Sequence, residues 1–222
     1  MAAPTTPPPN AAGVGPTVVR DRVLRFDRPE RNVHWCTAAL IGACLLTAAA
    51  LYVPSIAGLI GRRELVKGIH VWSGLALPLP FLIVRLGPWL TGLAADVRRL
   101  NRFDDHDRRW LRSMGRDPFV RNGKFNAGQK LNAAFTVGAI LLLLVTGSIM
   151  KWFGPFPLTW RTGATFVHDW TAFALLAVLI GHVAKAFGDR EALGSMVGGT
   201  VSRRWAAKKA PRWLDEVAPA DE

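Results

Sequence analysis

Two histidines lie in register on one predicted membrane helix, and the ring nitrogens of histidine are common ligands for iron. His168 and His182 fall in the apolar stretch Thr162 to Lys185 and are fourteen residues apart. On an α-helix this spacing is a rise of about 21 Å and nearly four whole turns, so both rings face one side at opposite depths. Ionisable side chains are rare inside membrane helices and usually have a function there. The pattern therefore predicts one partner for each histidine, at two depths.

Four apolar stretches of membrane length must position these side chains. Half of the 222 residues are hydrophobic, which is too apolar for an ordinary soluble domain and favours one membrane bundle. Each stretch suits a hydrocarbon core of about 30 Å. In the second stretch, Pro78 and Pro80 should bend the helix. The predicted fold is an all-α, four-transmembrane-helix, up-down-up-down bundle with spans at about 33–53, 68–90, 129–150 and 162–185.

The segments outside the spans are mostly polar. Residues 1–19 carry no charge and no continuous apolar core, so we expect a disordered N-terminal tail rather than a signal peptide. Residues 20–187 should form the transmembrane domain, with a polar connection at 91–130, and residues 188–222 a cytoplasmic C-terminal tail. His106, in the run DDHDRR of the connection, is expected to be solvated.

Lysine and arginine are distributed unevenly among these polar segments. The N-terminal segment holds five and the 91–130 connection ten, whereas the loops after the first and third spans hold three and two. By the positive-inside rule, both termini are expected in the cytoplasm. The formal net charge of +12 lies mainly beside the spans, where anionic lipid head groups account for it. We therefore expect a membrane surface, and no nucleic acid, as the partner of these charges.

With this topology the histidines sort into two pairs by depth. His34 begins the first span and His182 ends the fourth, so both lie at the cytoplasmic level, whereas His70 and His168 lie at the outer level. Two such pairs match bis-histidine ligation of two b-type haems stacked across the membrane. A single intramembrane histidine can instead bond a backbone carbonyl of a neighbouring helix. A zinc site would need about four ligands at one place, which these depths exclude.

Further residues near the histidines each have two interpretations. Arg85 lies about four turns beyond His70, near the cytoplasmic level, where it would pair with a haem propionate or extend to the membrane interface. Glycines near the presumed ligands either let a flat macrocycle approach the backbone or serve helix crossings. These are Gly42, Gly74 and Gly181.

The two cysteines, Cys36 and Cys44, form neither a CxxC pair nor a CxxCH haem-attachment motif. We expect them to be packing residues. Any haem would therefore be held without thioether bonds.

The chain has a likeness to a known family. The likeness rests on the four histidines and on two runs, GKFNAGQKL at 123–131 and VSRRWAAKKAPRW at 201–213. The chain resembles the cytochrome b (gamma) subunit of membrane-bound, quinone-linked formate dehydrogenase over most of Arg25 to Val217. Histidines in apolar helices are shared with the cytochrome b subunits of nickel–iron hydrogenases. Phe125 stands where the family often has tyrosine, and Ala210 stands where a histidine is common.

The resemblance implies that His34 and His182 hold the inner haem and that the other two histidines hold the outer one. It also implies a menaquinone or ubiquinone site beside the inner haem, formed by Asn126, Gly128, Gln129 and the vicinity of His182. Amide side chains and backbone N–H groups at a helix start can donate hydrogen bonds to a quinone carbonyl. Alternatively, Asn126 caps the third span and Gly128 relieves packing.

Together these features predict the membrane-anchor subunit of a respiratory formate dehydrogenase in the bacterial inner membrane. Electrons from a molybdopterin-type catalytic subunit would pass through an iron–sulfur subunit to the outer haem, cross to the inner haem, and reduce quinone with cytoplasmic proton uptake. The sequence lacks an iron–sulfur cysteine set, so no formate chemistry is expected of this chain alone.

Two other functions stay open at this point: the cytochrome b subunit of a nickel–iron hydrogenase or related oxidoreductase, and a non-haem membrane anchor or transporter component. The basic cytoplasmic faces are also suited to cardiolipin. The whole complex could form a higher-order oligomer.

Overall fold

Four apolar helices dominate the structure, a computed structural model that describes residues 21–87, 90–152 and 154–218. The tail expected at residues 1–19 lies outside these residues. In chain order the elements are β1 (Arg22–Leu24), α1 (Arg28–Tyr52), α2 (Pro54–Ile60), α3 (Arg63–Ala76), α4 (Leu79–Leu86), α5 (Leu90–Asn101), α6 (Asp105–Ser113), α7 (Ala127–Lys151), α8 (Leu158–Phe187), α9 (Arg190–Gly198), β2 (Thr200–Ser202), α10 (Arg203–Lys209) and α11 (Pro211–Val217).

The four spans are α1, α3 with α4, α7, and α8, each long and apolar enough to cross a membrane. Their outward-facing side chains are large and apolar, as Leu46, Trp72, Leu141 and Phe173 illustrate. Such surfaces suit contact with acyl chains, and helices satisfy their own backbone hydrogen bonds there. The chain is therefore an all-α, multi-pass membrane protein.

Inside the bundle the spans meet in one apolar cluster. Every span contributes one buried residue to it: Ile41, Leu77, Ala139 and Leu175. Close packing of such residues holds membrane helices together, because lipid offers no hydrophobic driving force between them. The cluster fixes the four helices around the space in which the histidines meet.

Capping side chains explain where the spans begin. Asp27 Oδ1 accepts a hydrogen bond from the backbone N–H of Glu30 at 2.8 Å, and Glu30 Oε2 accepts one from Asp27 at 2.7 Å. This capping box starts α1 at Arg28, before the apolar stretch from which the span was predicted. Asn126 and Gln129 form the same box at the start of α7.

The second span is interrupted by a turn at the position of the expected bend. α3 ends at Ala76 and α4 begins at Leu79. Pro78 has no N–H for an intrahelical bond, and Pro80 lies in the first turn of α4, where a missing N–H costs no such bond. The span runs from Arg63 to Leu86, so it begins and ends earlier than the predicted stretch of 68–90.

The polar segments fold into a cap on the end of the bundle at which α1 begins and α8 ends. We call β1, β2, α5, α6, α9, α10 and α11 the terminal cap. β1 pairs with β2 in antiparallel register, with Val23 opposite Val201. Four buried residues form the core of the cap: Val201, Ala206, Ala210 and Trp213.

The terminal cap is a finding that the sequence did not predict, because the connection at 91–130 and the C-terminal tail were expected only to be polar. Each of its elements is short, and its apolar residues meet only after distant segments fold together. On the opposite end, α2 occupies part of the segment Pro54 to Lys67 that was expected to be a loop.

Candidate functional site

The four intramembrane histidines meet in two pairs inside the bundle. In the proximal pair, nearest the terminal cap, the ring centres of His34 and His182 are 6.3 Å apart. In the distal pair, the ring centres of His70 and His168 are 6.2 Å apart. α8 contributes one ring to each pair, and its partners come from α1 and α3. The structure thus brings together the histidines that the sequence places at common depths.

Both separations fit a metal ion held between two imidazoles. With metal–nitrogen bonds of about 2 Å, one ring nitrogen from each side places the ring centres roughly 6 Å apart. Among the described residues, no group of three or more histidine, cysteine, aspartate or glutamate side chains could hold a metal. Each pair offers two imidazoles, and such a pair suits a haem iron better than a four-ligand zinc centre.

In the distal pair, His70 is fixed by the second half of α1. Its Nδ1 lies 3.0 Å from Thr47 Oγ1 and 3.1 Å from the carbonyl oxygen of Cys44. The Thr47 hydroxyl donates to the carbonyl oxygen of Ala43 at 2.6 Å. A hydroxyl has one hydrogen, so the oxygen of Thr47 accepts from the ring.

His168 is fixed in the same way by the end of α7. Its Nδ1 lies 3.0 Å from Thr146 Oγ1, and the hydroxyl of Thr146 donates to the carbonyl oxygen of Leu142 at 2.7 Å. The next residue, Gly147, lets the ring approach the helix, since a Cβ there would lie 3.3 Å from His168 Cε1. Both halves of the bundle therefore use a threonine at the end of one span to hold a histidine at the start of the next.

These contacts assign the tautomer of the distal rings. A backbone carbonyl can only accept a hydrogen bond, and His70 contacts that of Cys44 through Nδ1 while His168 contacts the backbone of Leu143. We therefore assign the proton to Nδ1 in both rings, with the threonine oxygens as further acceptors. Nε2 then keeps its lone pair, which is the form that ligates a metal.

The proximal rings have no such partners. Neither His34 nor His182 forms a hydrogen bond through its ring with another residue that the structure describes. His34 packs edge-on against Trp35, with ring centres 5.2 Å apart. Trp35 Nε1 in turn donates to the carbonyl oxygen of Met196 at 2.7 Å. The surroundings of this pair are therefore tied to the terminal cap through α9.

A buried ion cluster lies where the terminal cap meets the start of α1. Lys124 Nζ is 2.5 Å from Asp96 Oδ2 and 3.5 Å from Glu30 Oε1. All three side chains are buried. Arg99 adds a contact of 3.1 Å to Asp96. Because Glu30 is one helical turn before His34, the cluster lies next to the proximal pair.

A second set of ion pairs joins α6 to its neighbours. Lys130 Nζ is 2.6 Å from Asp107 Oδ2 and 2.8 Å from the carbonyl oxygen of Arg102. Arg212 in α11 lies 2.8 Å from Asp104. Burial alone would raise the pKa of Asp104, but the hydrogen bonds from Arg212 and from the backbone of Asp107 outweigh it and lower that pKa below its ordinary value.

Arg25 is a buried cation in the centre of the cap. Its guanidinium lies 4.9 Å from the ring centre of Phe26 and 4.5 Å from that of Trp205. Its Nε makes no hydrogen bond with the described residues. Burial lowers the pKa of Arg25 to about 10, against the opposing charges of Asp189 and Asp96. The side chain is therefore still charged at neutral pH.

The amides of the NAGQK motif are oriented by the start of α7. Asn126 Oδ1 accepts from the backbone N–H of Gln129 at 2.9 Å, and Gln129 Oε1 accepts from that of Asn126 at 3.0 Å. Asn126 is therefore an N-cap residue, which is one of the two roles that the sequence suggested for it. Since both side-chain oxygens are engaged, the two amide NH₂ groups stay available as donors.

Gly128 lies beneath the indole of Trp110. A Cβ at this position would lie 2.7 Å from Cη2 of that ring, a distance that real side chains do not adopt. Packing of α6 against α7 is thus a sufficient reason for glycine here. The neighbouring Phe125 packs against Phe26, with ring centres 6.2 Å apart.

The other residues that the sequence indicated, Arg85, three glycines and two cysteines, make few contacts with the described residues. Arg85 is exposed in the last turn of α4 and forms no ion pair with the described residues. A Cβ at Gly42 or Gly181 would meet no atom within 4 Å, and one at Gly74 would meet only Cys44 Sγ, at 4.0 Å. Both cysteines are free thiols.

A polar cavity of about 210 Å³ opens in the terminal cap. His106, expected to be solvated, is half-buried and contributes to its wall. Six basic side chains and three carboxylates also line it: Arg99, Arg102, Arg121, Lys124, Lys130 and Arg212, with Asp104, Asp107 and Glu216.

The sequence did not indicate the threonines or the buried ions. Thr47 precedes His70 by 23 residues, and Thr146 precedes His168 by 22. The threonines could have been predicted from this nearly equal spacing in the two halves of the bundle. The ion cluster joins residues from three distant segments and has no comparable local pattern.

Comparison with known proteins gives one consistent family. A sequence profile of the family described as prokaryotic cytochrome b561 matches residues 25–199. The chain is 29% identical over 210 residues to the formate dehydrogenase cytochrome b556(fdo) subunit of Escherichia coli, covering 91% of this chain and 97% of that protein. It is 28% identical over 207 residues to the formate dehydrogenase cytochrome b556 subunit of Haemophilus influenzae, covering 88% and 83%. Likewise it is 28% identical over 213 residues to the nitrate-inducible formate dehydrogenase cytochrome b556(Fdn) subunit of E. coli, covering 90% and 93%.

Proposed function

The chain belongs to the prokaryotic cytochrome b561 family, and from this premise we propose that it is the dihaem membrane-anchor subunit of a respiratory formate dehydrogenase. The observation that carries the proposal is the meeting of four histidines in two pairs, with ring centres 6.2 and 6.3 Å apart. The names of the relatives, and the fact that they match nearly the whole chain, favour formate dehydrogenase over hydrogenase.

In this proposal the proximal pair, His34 and His182, holds the inner haem, and the distal pair, His70 and His168, holds the outer haem. Haem b, when bound, supplies reversible one-electron transfer. The chain would supply the histidine ring nitrogens that hold each haem, and α8 would fix the distance between the two sites because it carries one histidine of each pair. The open backbone at Gly42 and Gly181 suits a flat macrocycle.

The chain would connect two partners across the bacterial inner membrane, with its termini in the cytoplasm. Electrons from the molybdopterin-type catalytic subunit would arrive through the iron–sulfur subunit at the distal end and leave to menaquinone or ubiquinone at the proximal end. The concentration of lysine and arginine on the cap side supports this orientation. Protons for quinone reduction would then come from the cytoplasm.

The quinone site is proposed at the start of α7, beside the proximal pair. Asn126 and Gln129 would donate their amide NH₂ groups to a quinone carbonyl, and the capping box supports this role because it leaves those groups free. Gly128 and the vicinity of His182 complete the site. A single hydrogen bond of this kind contributes about 1 kcal/mol.

Lipid contacts are proposed for two basic features. The excess of lysine and arginine on the cap side of the chain suits the phosphates of cardiolipin. Arg85 is exposed at a helix end, which favours the membrane interface over a haem propionate as its partner.

Haem quantification tests the proposed function. The purified chain, or the complex that contains it, should bind two haem b groups per chain and show b-type bands in the reduced-minus-oxidised spectrum. His106→Ala, outside both pairs, should leave this number unchanged. A chain without haem would favour the non-haem anchor or transporter component. A nickel–iron pair among the co-purified subunits, in place of a molybdopterin protein and an iron–sulfur subunit, would favour hydrogenase.

Asn126→Asp tests the quinone site separately from the helix cap. The carboxylate keeps the capping oxygen but removes the amide donor, so formate-driven quinone reduction should fall about fivefold while both haem spectra stay unchanged. Asn132→Asp, on the same helix, is the control. Unchanged quinone reduction in Asn126→Asp would overturn the assignment of Asn126.

A further inference from the structure

We propose that Thr47 and Thr146 are positioning residues that lower the reduction potential of the distal haem relative to the proximal one. The inference rests on the proposed function, because it takes His70 and His168 as haem ligands. It goes beyond that function by assigning a role to two hydroxyls that lie outside the ligand set.

The two hydroxyls occupy equivalent places in the two halves of the bundle. Thr47 and His70 join α1 to α3, and Thr146 and His168 join α7 to α8, each with an Oγ1–Nδ1 distance of 3.0 Å. In both cases the hydroxyl also donates to the carbonyl four residues earlier, at 2.6 and 2.7 Å. The hydrogen bonds therefore run in one direction, from the ring through the hydroxyl to the helix backbone.

This arrangement makes each threonine a better acceptor than an isolated hydroxyl. A hydroxyl that donates to a carbonyl is polarised by that bond, and its oxygen accepts more strongly. Thr146 is buried, so water does not compete for its oxygen. The Cys44 carbonyl also lies 3.1 Å from His70 Nδ1, which adds a second acceptor on that side.

A strong acceptor on Nδ1–H makes the opposite nitrogen of the ring a more basic ligand. More basic ligands stabilise the oxidised iron, so the reduction potential of the haem falls. The proximal rings of His34 and His182 lack any such acceptor among the described residues. The distal site is therefore the more reducing one, and electron flow from the distal to the proximal site is energetically downhill.

The test is a redox titration of the purified complex with Thr47→Val, Thr146→Val and the double variant. Valine has nearly the same shape as threonine but no acceptor oxygen. Each valine should favour reduction of the distal haem about three- to tenfold, which is about 30 to 60 mV at 59 mV per tenfold for one electron. The wave that His70→Ala removes identifies the distal haem, and the proximal wave should not move.

Three further variants keep the result interpretable. Thr47→Ser and Thr146→Ser restore the acceptor and should restore the distal potential. Thr136→Val, on the same helix as Thr146, should change neither wave. The valine variants could instead lose the distal haem while the serine variants retain it. That result would also support the positioning role of the threonines, because it would show that the hydroxyl is needed to orient the histidine.

Failure of this inference can be told apart from failure of the proposed function. If valine variants keep both haems and the distal potential is unchanged, or if both potentials shift equally, the role of the threonines is wrong and dihaem binding still stands. If the unaltered chain binds no haem, the proposed function itself is wrong.

Discussion

The two ends of the bundle hold their histidine pairs by different means. At the distal end, hydroxyls of the spans themselves bind the rings of His70 and His168. At the proximal end, the rings of His34 and His182 have no hydrogen-bond partner among the described residues, and a folded cap with buried ions lies beside them. The orientation of the distal rings is thus fixed by neighbouring helices, whereas the proximal rings lie beside segments that are distant in the sequence.

The difference suits the two proposed tasks. The distal site needs only to pass electrons, and its rings are held by short bonds within the bundle. The proximal site must also admit a quinone and protons, and the terminal cap places charged and amide side chains beside it. Damage to the cap should therefore affect the proximal site and spare the distal one.

The largest effect is expected for Lys124→Met. Removing this cation leaves Asp96 and Glu30 buried without their partner, which should lower the free energy of unfolding by about 3–5 kcal/mol. In a thermal denaturation followed by absorbance, the proximal haem should be released before the distal one. Lys208→Met, an exposed position of the cap, should change the free energy of unfolding by less than about 0.5 kcal/mol. Simultaneous release of both haems in Lys124→Met would remove the distinction between the two ends.

A smaller effect is expected for Gly128→Ala. The added Cβ would lie 2.7 Å from the ring of Trp110, so α6 must move away from α7. Such overpacking typically costs about 1–3 kcal/mol. Hydrogen exchange should increase in α6, while Gly138→Ala on the same helix, where a Cβ meets nothing within 4 Å, should stabilise the chain by up to about 1 kcal/mol. If both variants change the stability and the hydrogen exchange of α6 equally, Trp110 does not require glycine at position 128.

The smallest effect concerns the pH dependence of the cap. Because Arg212 and the backbone of Asp107 lower the pKa of Asp104, this contact stabilises the docked α11 above the ordinary aspartate pKa of about 3.9. The stabilisation is lost as the pH falls through the lower pKa of the folded chain. Hydrogen-exchange protection of α11 should therefore fall below about pH 4.

Two substitutions check this pH dependence. Asp104→Asn keeps the helix cap and should weaken the acid-dependent change in α11, since asparagine does not titrate. Asp105→Asn, whose side chain is exposed beside Arg108, should retain it. Identical profiles of the two variants would rule out Asp104 as the group responsible.

The spans were predictable from the sequence because their signals are local. Long apolar stretches located the four helices, and the fourteen-residue spacing of His168 and His182 placed them at two levels. The prolines located the break in the second span. Pairing of the histidines needed only the antiparallel order of neighbouring spans.

The rest depends on contacts that no local pattern encodes. A threonine in an apolar helix usually bonds its own backbone, as Thr47 and Thr146 also do, so its second bond to a histidine becomes visible only after the helices pack. The buried cluster of Glu30, Asp96 and Lys124 joins three segments that the sequence indicates only as charged. The terminal cap was missed for the same reason.

The assignment of two histidine pairs to two haems is tested most directly by the haem content of two variants, His34→Ala and His70→Ala, measured by spectral titration of the purified complex. We predict that each variant retains one haem, that His34→Ala loses the proximal one, and that His70→Ala loses the distal one. His106→Ala should retain both. Loss of the same haem from both variants, or of no haem from either, would contradict the assignment of two histidine pairs to two haems.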